Sequence, residues 1–267
     1  YISKLKKAKR VYDAHELFTE MKEIVTRPSI QKFWLGVERK FIPEFDKAYT
    51  VSQSIADIFK KRYGMTFELI RNMPYTENDL AATGKPGIKH IIYQGAVNEA
   101  RGFEYLIPAM QQINTTLYIY GDGNFMTRLK ALIARYGVEK KVVLMGMISP
   151  DELKEVTRDA YIGINLVENI GLNQYYSLAN KFFDYIQAGV SQITMRYPEY
   201  ESVNNAYEVA VLIDALTPEA IADAYHQLCS DEFYQRLKQN CITAAKEYNW
   251  QNEEKKLINI YHQLFNL

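Results

Sequence analysis

From residue 89 onward, short apolar and β-branched runs alternate with segments of helical period. The runs predict strands at 90–94, 116–120, 142–145, 160–166, 191–195 and 209–213. Between and after them, 102–112, 124–136, 150–157, 178–188 and 217–247 (the last with breaks) repeat apolar residues at helical spacing and predict helices. The part before residue 80 has the same grammar in shorter form. A strand over Arg10–Ala14 leads to a helix from Glu16, a long helical stretch over 29–45, strand 47–51, helix 52–63 and strand 67–70. The run from Asn72 to Gly87, with Pro74, Gly84, Pro86 and Gly87, reads as a linker. Trp250 to Phe265 forms an amphipathic helix with no strand after it, free to pack back onto the first unit.

Strands alternating with helices give parallel sheets covered on both faces, so the chain is expected to be α/β with two Rossmann-like units. The first unit is expected to be truncated, because Tyr1 is no initiator methionine and a lysine-rich stretch runs straight into a strand. Ligands of such sheets sit beyond the carboxyl ends of the strands. The loops after 94, 120, 145 and 166 therefore carry the candidate chemistry.

After the 166 strand comes Tyr175-Tyr-Ser-Leu-Ala-Asn-Lys-Phe-Phe-Asp-Tyr-Ile-Gln-Ala-Gly189. Ser177 stands where a helix N-cap is expected, and Asn180, Lys181 and Asp184 share one helical face. The helix N-terminus and Lys181 together suit a diphosphate, and Asp184 can accept hydrogen bonds from a ribose or sugar hydroxyl. On these residues alone, a capped amphipathic helix with a solvated polar face explains the pattern equally well.

In the loop Gln94-Gly-Ala-Val-Asn-Glu-Ala-Arg-Gly102, Gly95 allows close backbone approach and Arg101 offers a planar fork to phosphate oxygens. The plain alternative is an ordinary strand–turn–helix with a surface arginine. Tyr120-Gly-Asp-Gly-Asn124 lacks the third glycine of a dinucleotide fingerprint, so NAD is not expected. His15, at the carboxyl end of the first strand, can reach a phosphate or a sugar hydroxyl; a capping or core histidine is the default on spacing alone.

Composition narrows the functional classes. The 32 basic and 32 acidic residues cancel, which argues against a dedicated nucleic-acid binder. Cys229 and Cys241 fall in no metal-ligand pattern and read as reduced thiols of a cytoplasmic protein. No run approaches a membrane span, and a secretory signal peptide is not expected. Lys4, Lys6, Lys7, Lys9 and Arg10 read as a solvated face, with a membrane-surface patch as the alternative. Asp-x-Asp, Gly-x-Ser-x-Gly and P-loop signatures are absent from the sequence, so no metal and no cofactor are expected.

These pieces in this order resemble the retaining nucleotide-sugar glycosyltransferases of family 4, which have the GT-B architecture. The matching stretches are Tyr12-Asp-Ala-His-Glu16, Val51-Ser52, Ile70-Arg-Asn72, Tyr93-Gln-Gly95, Arg101-Gly102, Leu117-Tyr-Ile-Tyr-Gly-Asp-Gly123, Val143-Leu-Met-Gly146, Ser177-Leu-Ala-Asn-Lys181 with Asp184 to Gly189, and Asn249-Trp250. The resemblance implies hexose transfer from a nucleoside diphosphate sugar to a glycan or lipid-linked acceptor, with peripheral membrane association left open. It implies an acceptor-side part over 1–87, a donor-binding domain over 88–248 and a returning helix over 249–267. His15, Arg101 and Lys181 take catalytic places; Gly95, Met147, Ile148, Tyr176, Ser177, Asn180 and Asp184 take donor-binding ones. Met147 and Ile148 match the backbone that holds the base. Ala96 and Tyr176 stand at positions that the family usually fills with charged residues. A non-catalytic nucleotide-sugar-binding subunit and a sugar-nucleotide epimerase of the same architecture are the competing readings.

Overall fold

In the computed structural model, residues 2–76 and 89–266 are described, so most of the expected linker, with Gly84, Pro86 and Gly87, lies outside the described residues. Two units form: residues 1–73, 169–178 and 250–267 make the first, and 74–168 with 179–249 make the second. All described strands pair in parallel.

In the first unit β1 (Val11–Ala14), β2 (Lys47–Thr50) and β3 (Glu68–Leu69) line up in the order β1-β2-β3. The helix expected from Glu16 is reduced to a 3-10 turn, Phe18–Glu20, and one α turn, Lys22–Val25. Leu17, fully buried in the core, holds the chain there, and Pro28 at N1 starts the next helix, Pro28–Phe41. That helix stops before the expected 45 because Pro43 cannot donate a backbone hydrogen bond, and a 3-10 turn, Ile42–Glu44, follows. The helix Gln53–Tyr63 shows both its signals: the Ser52 hydroxyl accepts from the Ile55 N–H, and Gly64 ends it in the left-handed region. The core gathers Ala14, Leu17, Ala48, Ile55 and Phe59, with Phe59 and Phe67 stacked at 4.3 Å. In the helix Trp250–Phe265, Glu253 accepts the Arg71 N–H at 2.9 Å, and Gln263 accepts from Lys47 Nζ at 2.9 Å.

The second unit holds β4 (His90–Gln94), β5 (Thr116–Tyr120), β6 (Val142–Gly146), β7 (Ile162–Asn165), β8 (Ser191–Met195) and β9 (Ala210–Ile213). Their order is β6-β5-β4-β7-β8-β9, the doubly wound order, in which the winding reverses between β4 and β7. Loops leaving the carboxyl ends of β4 and β7 therefore diverge and open a crevice beside the sheet. Every residue of β7 and β8 is buried, as expected for central strands of a parallel sheet. Two of their polar members donate inside the core: Asn165 Nδ2 to Thr194 Oγ1 at 3.0 Å, and Gln192 Nε2 to the Phe182 carbonyl at 3.0 Å. The helix Pro198–Tyr207, which shows little apolar periodicity, was not expected.

Candidate functional site

Beyond β4 and β5 two loops are laced together through their backbones. The Gly95 N–H donates to the Tyr120 carbonyl (3.0 Å), the Val97 N–H to that of Asp122 (2.9 Å), and the Phe125 N–H to that of Val97 (3.0 Å). Gly121 has φ +142°, and a Cβ there would stand 1.9 Å from the Gly95 carbonyl oxygen. At Gly123 a Cβ would stand 2.3 Å from the Val97 carbonyl oxygen. The two glycines of Tyr120-Gly-Asp-Gly therefore serve loop-on-loop contact, which needs no third glycine. Gly95, Ala96, Tyr120, Gly121, Asp122, Met147, Ile148 and Leu153 line a hollow of about 290 Å³ at this end of the sheet.

The helix Asn180–Gln187 supplies the charge. It begins two residues later than the serine pattern implied, with Ala179 at the N-cap and no side-chain cap bond. Ser177 is not the cap: its hydroxyl donates to the Gln174 carbonyl at 2.8 Å and is spent on the preceding turn. Asn180 is the exposed first residue. Lys181 is half-buried, and its Nζ lies 3.7 Å from the centroid of the Tyr93 ring, a cation–π contact. The same Nζ lies 3.6 Å from where a Cβ on Gly95 would be, so the ammonium stands beside the backbone of the loop. Burial, and next the charge of Arg101, hold the lysine pKa well below its usual range, while Asp184 pulls the other way. Arg101 follows Ala100, whose φ of +64° is stabilised by a bond from the Glu168 N–H to its carbonyl (3.1 Å).

Asp184, one turn into the helix, accepts from Gln94 Nε2 at 3.1 Å. Burial raises its pKa to about 6 against an ordinary 3.8, although the Gln94 bond and the charges of Lys181 and Lys154 oppose the shift. A raised carboxyl pKa stabilises the fold below the unfolded value and loses that contribution as pH rises through the folded one. Asp184→Asn is therefore expected to stabilise the protein at pH 8 by on the order of 1–2 kcal/mol, with little gain at pH 4. Thermal melts at the two pH values check this; an equal change at both removes the burial account.

Of the candidate residues, the second unit brings together Gly95, Arg101, Lys181 and Asp184, with Met147 and Ile148 on the hollow next to Gly95. Tyr176, Ser177 and His15 belong to the first unit. Tyr176 packs on that unit's core, against Tyr175 at 5.0 Å. His15 is more than half exposed rather than part of the core; its Nε2 pairs with Asp13 at 3.0 Å and its Nδ1 with Asn72 at 3.2 Å. Tyr93, Gln94 and Thr157 were missed by sequence reasoning. Tyr93 is fully buried and sends its hydroxyl to the Ala96 carbonyl at 2.7 Å, so one ring shapes the loop and faces Lys181. A polar residue closing an otherwise apolar strand, as Gln94 does, was the available signal.

The family described as glycosyl transferases group 1 matches over residues 76–248. An uncharacterized glycosyltransferase of Methanocaldococcus jannaschii is 26% identical over 181 residues, which is 65% of this chain and 44% of the relative. The chain thus spans less than half the length of that curated relative. Among solved structures, HepE of Anabaena in complex with UDP superposes with a TM-score of 0.79 at 12% identity, covering 98% of this chain and 74% of that one. Sucrose-phosphate synthase of Thermosynechococcus elongatus gives 0.77 at 18% identity, over 98% and 70%. The pneumococcal O-GlcNAc transferase GtfA, in complex with UDP and GlcNAc, gives 0.74 at 13% identity, over 98% and 54%. At such identities the likeness is one of fold, and it bears out the GT-B type α/β architecture with parallel sheets. The family match covers the whole run from β4 to the end of the second unit, with the laced loops and the Lys181 helix inside it, and on that ground the chain belongs to the group 1 glycosyl transferases.

Proposed function

We propose that this chain is part of a glycosyltransferase that moves a hexose from a nucleoside diphosphate sugar to a glycan or lipid-linked acceptor, with retention and without a metal. The second unit holds the donor, and the first is the C-terminal part of an acceptor-side domain. One observation carries the reading: Lys181, with Arg101 beside it, stands over the backbone cradle at Gly95. Breaking a glycosyl–phosphate bond leaves negative charge on the diphosphate, and two cations at the start of a helix without a side-chain cap stabilise that charge. The family, and the UDP complexes of HepE and GtfA, support a nucleoside diphosphate as leaving group. His15 would act from the acceptor side. Among the described residues no helix is long and apolar enough to cross a membrane. Work in the cytoplasm, with lipid-linked acceptors met at the membrane face, belongs to the same proposal.

Calorimetric titration with UDP, GDP, ADP and CDP, without and with EDTA, tests this. Micromolar binding of one nucleotide, insensitive to EDTA, is the expected result; failure of all four to bind would remove the donor site. A non-catalytic binding subunit is the second reading, favoured by Tyr176 packing on an apolar core where the family usually places charge. Transfer or donor hydrolysis by the complete protein separates the two.

A further inference from the structure

Gln94 closes β4 and is only 4% exposed, yet both ends of its amide have partners. Nε2 donates to Asp184 Oδ2 at 3.1 Å, and Oε1 accepts from Thr157 Oγ1 at 2.7 Å. The Thr157 hydroxyl also lies 2.6 Å from the Leu153 carbonyl. A hydroxyl has one hydrogen, so Thr157 donates fully to Gln94 or to Leu153 but not to both. The charge of Asp184 sets the choice. An ionised carboxylate only accepts, so Gln94 turns its NH₂ to Asp184 and its carbonyl to Thr157, which donates to it. A protonated Asp184 has a hydrogen to donate as well as an oxygen that accepts, so it no longer fixes the orientation of the amide.

The three side chains line a hollow of about 190 Å³ together with Tyr75, Pro150 and Leu153. Leu153 also lines the hollow beside Gly95, so the two are neighbours. Apolar walls with a carboxylate at one side suit a ribose whose hydroxyls need an acceptor. The charged groups around Asp184 are Lys154 and Arg158, on the helix Pro150–Arg158, and Lys181 on its own helix.

We propose that Gln94 and Thr157 are positioning residues for the nucleoside end of the donor. They hold Asp184 so that one carboxylate oxygen bonds to Gln94 and the other accepts from the ribose. The assignment rests on the donor reading above. In Gln94→Leu the carboxylate loses its donor; in Thr157→Val the amide loses the bond that keeps its NH₂ on Asp184. Thr157→Ser retains the hydroxyl.

The test is titration of UDP, GDP, ADP, CDP and inorganic pyrophosphate into wild type and these three variants between pH 5 and 8.5. At pH 7 the nucleotide that binds wild type is expected to lose about tenfold in Gln94→Leu and roughly threefold in Thr157→Val. Pyrophosphate, which has no ribose, binds all four proteins alike, and Thr157→Ser matches wild type. The pH at which nucleotide affinity halves moves upward in Gln94→Leu and Thr157→Val, because each loses donation that favours ionised Asp184. A ¹³C titration of the Asp184 carboxyl, assigned with Asp184→Asn, reads the same displacement without ligand. Equal losses for nucleotide and pyrophosphate, or an unmoved carboxyl titration, overturn the positioning role. If the carboxyl titration moves but no nucleotide binds wild type, the donor reading fails, and the ribose role fails with it.

Discussion

Replacing Lys181 with alanine is expected to lower transfer by the complete enzyme about 10²–10³-fold, roughly 3–4 kcal/mol of barrier. The physical reason is the position of the charge, beside the Gly95 backbone and over the Tyr93 ring, where the proposed donor's diphosphate would gather negative charge as it leaves. Arg101→Ala is expected to cost at least tenfold by the same argument. In the free protein, burial and Arg101 discourage the charged form of Lys181. A bound diphosphate reverses that balance, so nucleotide binding above neutral pH is expected to take up protons. Calorimetry in buffers of different ionisation enthalpy measures this uptake, and Lys181→Ala should reduce it. Turnover near wild type in both alanine variants would sink the leaving-group role, and an unchanged proton uptake would sink the linkage to Lys181.

Gly121→Ala is expected to do the most damage of any single methyl addition at this site. The new Cβ would stand 1.9 Å from a carbonyl oxygen, at a backbone φ of +142° that L side chains rarely adopt. The obstacle is backbone rather than a flexible side-chain tip, so the loops leaving β4 and β5 must separate. A loss of stability of about 1–3 kcal/mol is expected, and at least tenfold weaker nucleotide binding, because Gly95 moves with its loop. Gly137→Ala is the control. It places alanine at a left-handed φ of +64° with nothing within 4 Å, so it costs about 1–2 kcal/mol of backbone strain and leaves binding intact. Equal binding by Gly121→Ala and wild type would show that the loops tolerate separation and that their lacing does not shape the site.

Local signals made most of the second unit legible. β4, β5 and β8 lie where alternation and β-branching placed them, and the helix Pro150–Arg158 starts at a Ser149–Glu152 capping box written in four consecutive residues. The errors have local causes too. Ser177 looked like a cap because it precedes an amphipathic run, yet its hydroxyl is taken by Gln174 within the turn before the helix. The helix from Glu16 failed because burial of Leu17 and the proline at 28 overrode a weak helical preference.

The sequence by itself determined the α/β class, nearly all the element positions in the second unit, and the loops that leave the carboxyl ends of its strands. These depend on hydrophobic period, caps and glycines, which are properties of neighbouring residues. Tertiary structure alone decided which distant groups meet. Tyr93 lies under Lys181, Gln94 bonds both Asp184 and Thr157, and Gly121 lies against Gly95. Those contacts join residues 26 to 90 positions apart, and they come from the strand order β6-β5-β4-β7, which no local pattern encodes. The perturbed pKa values of Lys181 and Asp184 follow from the same packing, because desolvation exists only once the chain has closed around the charge.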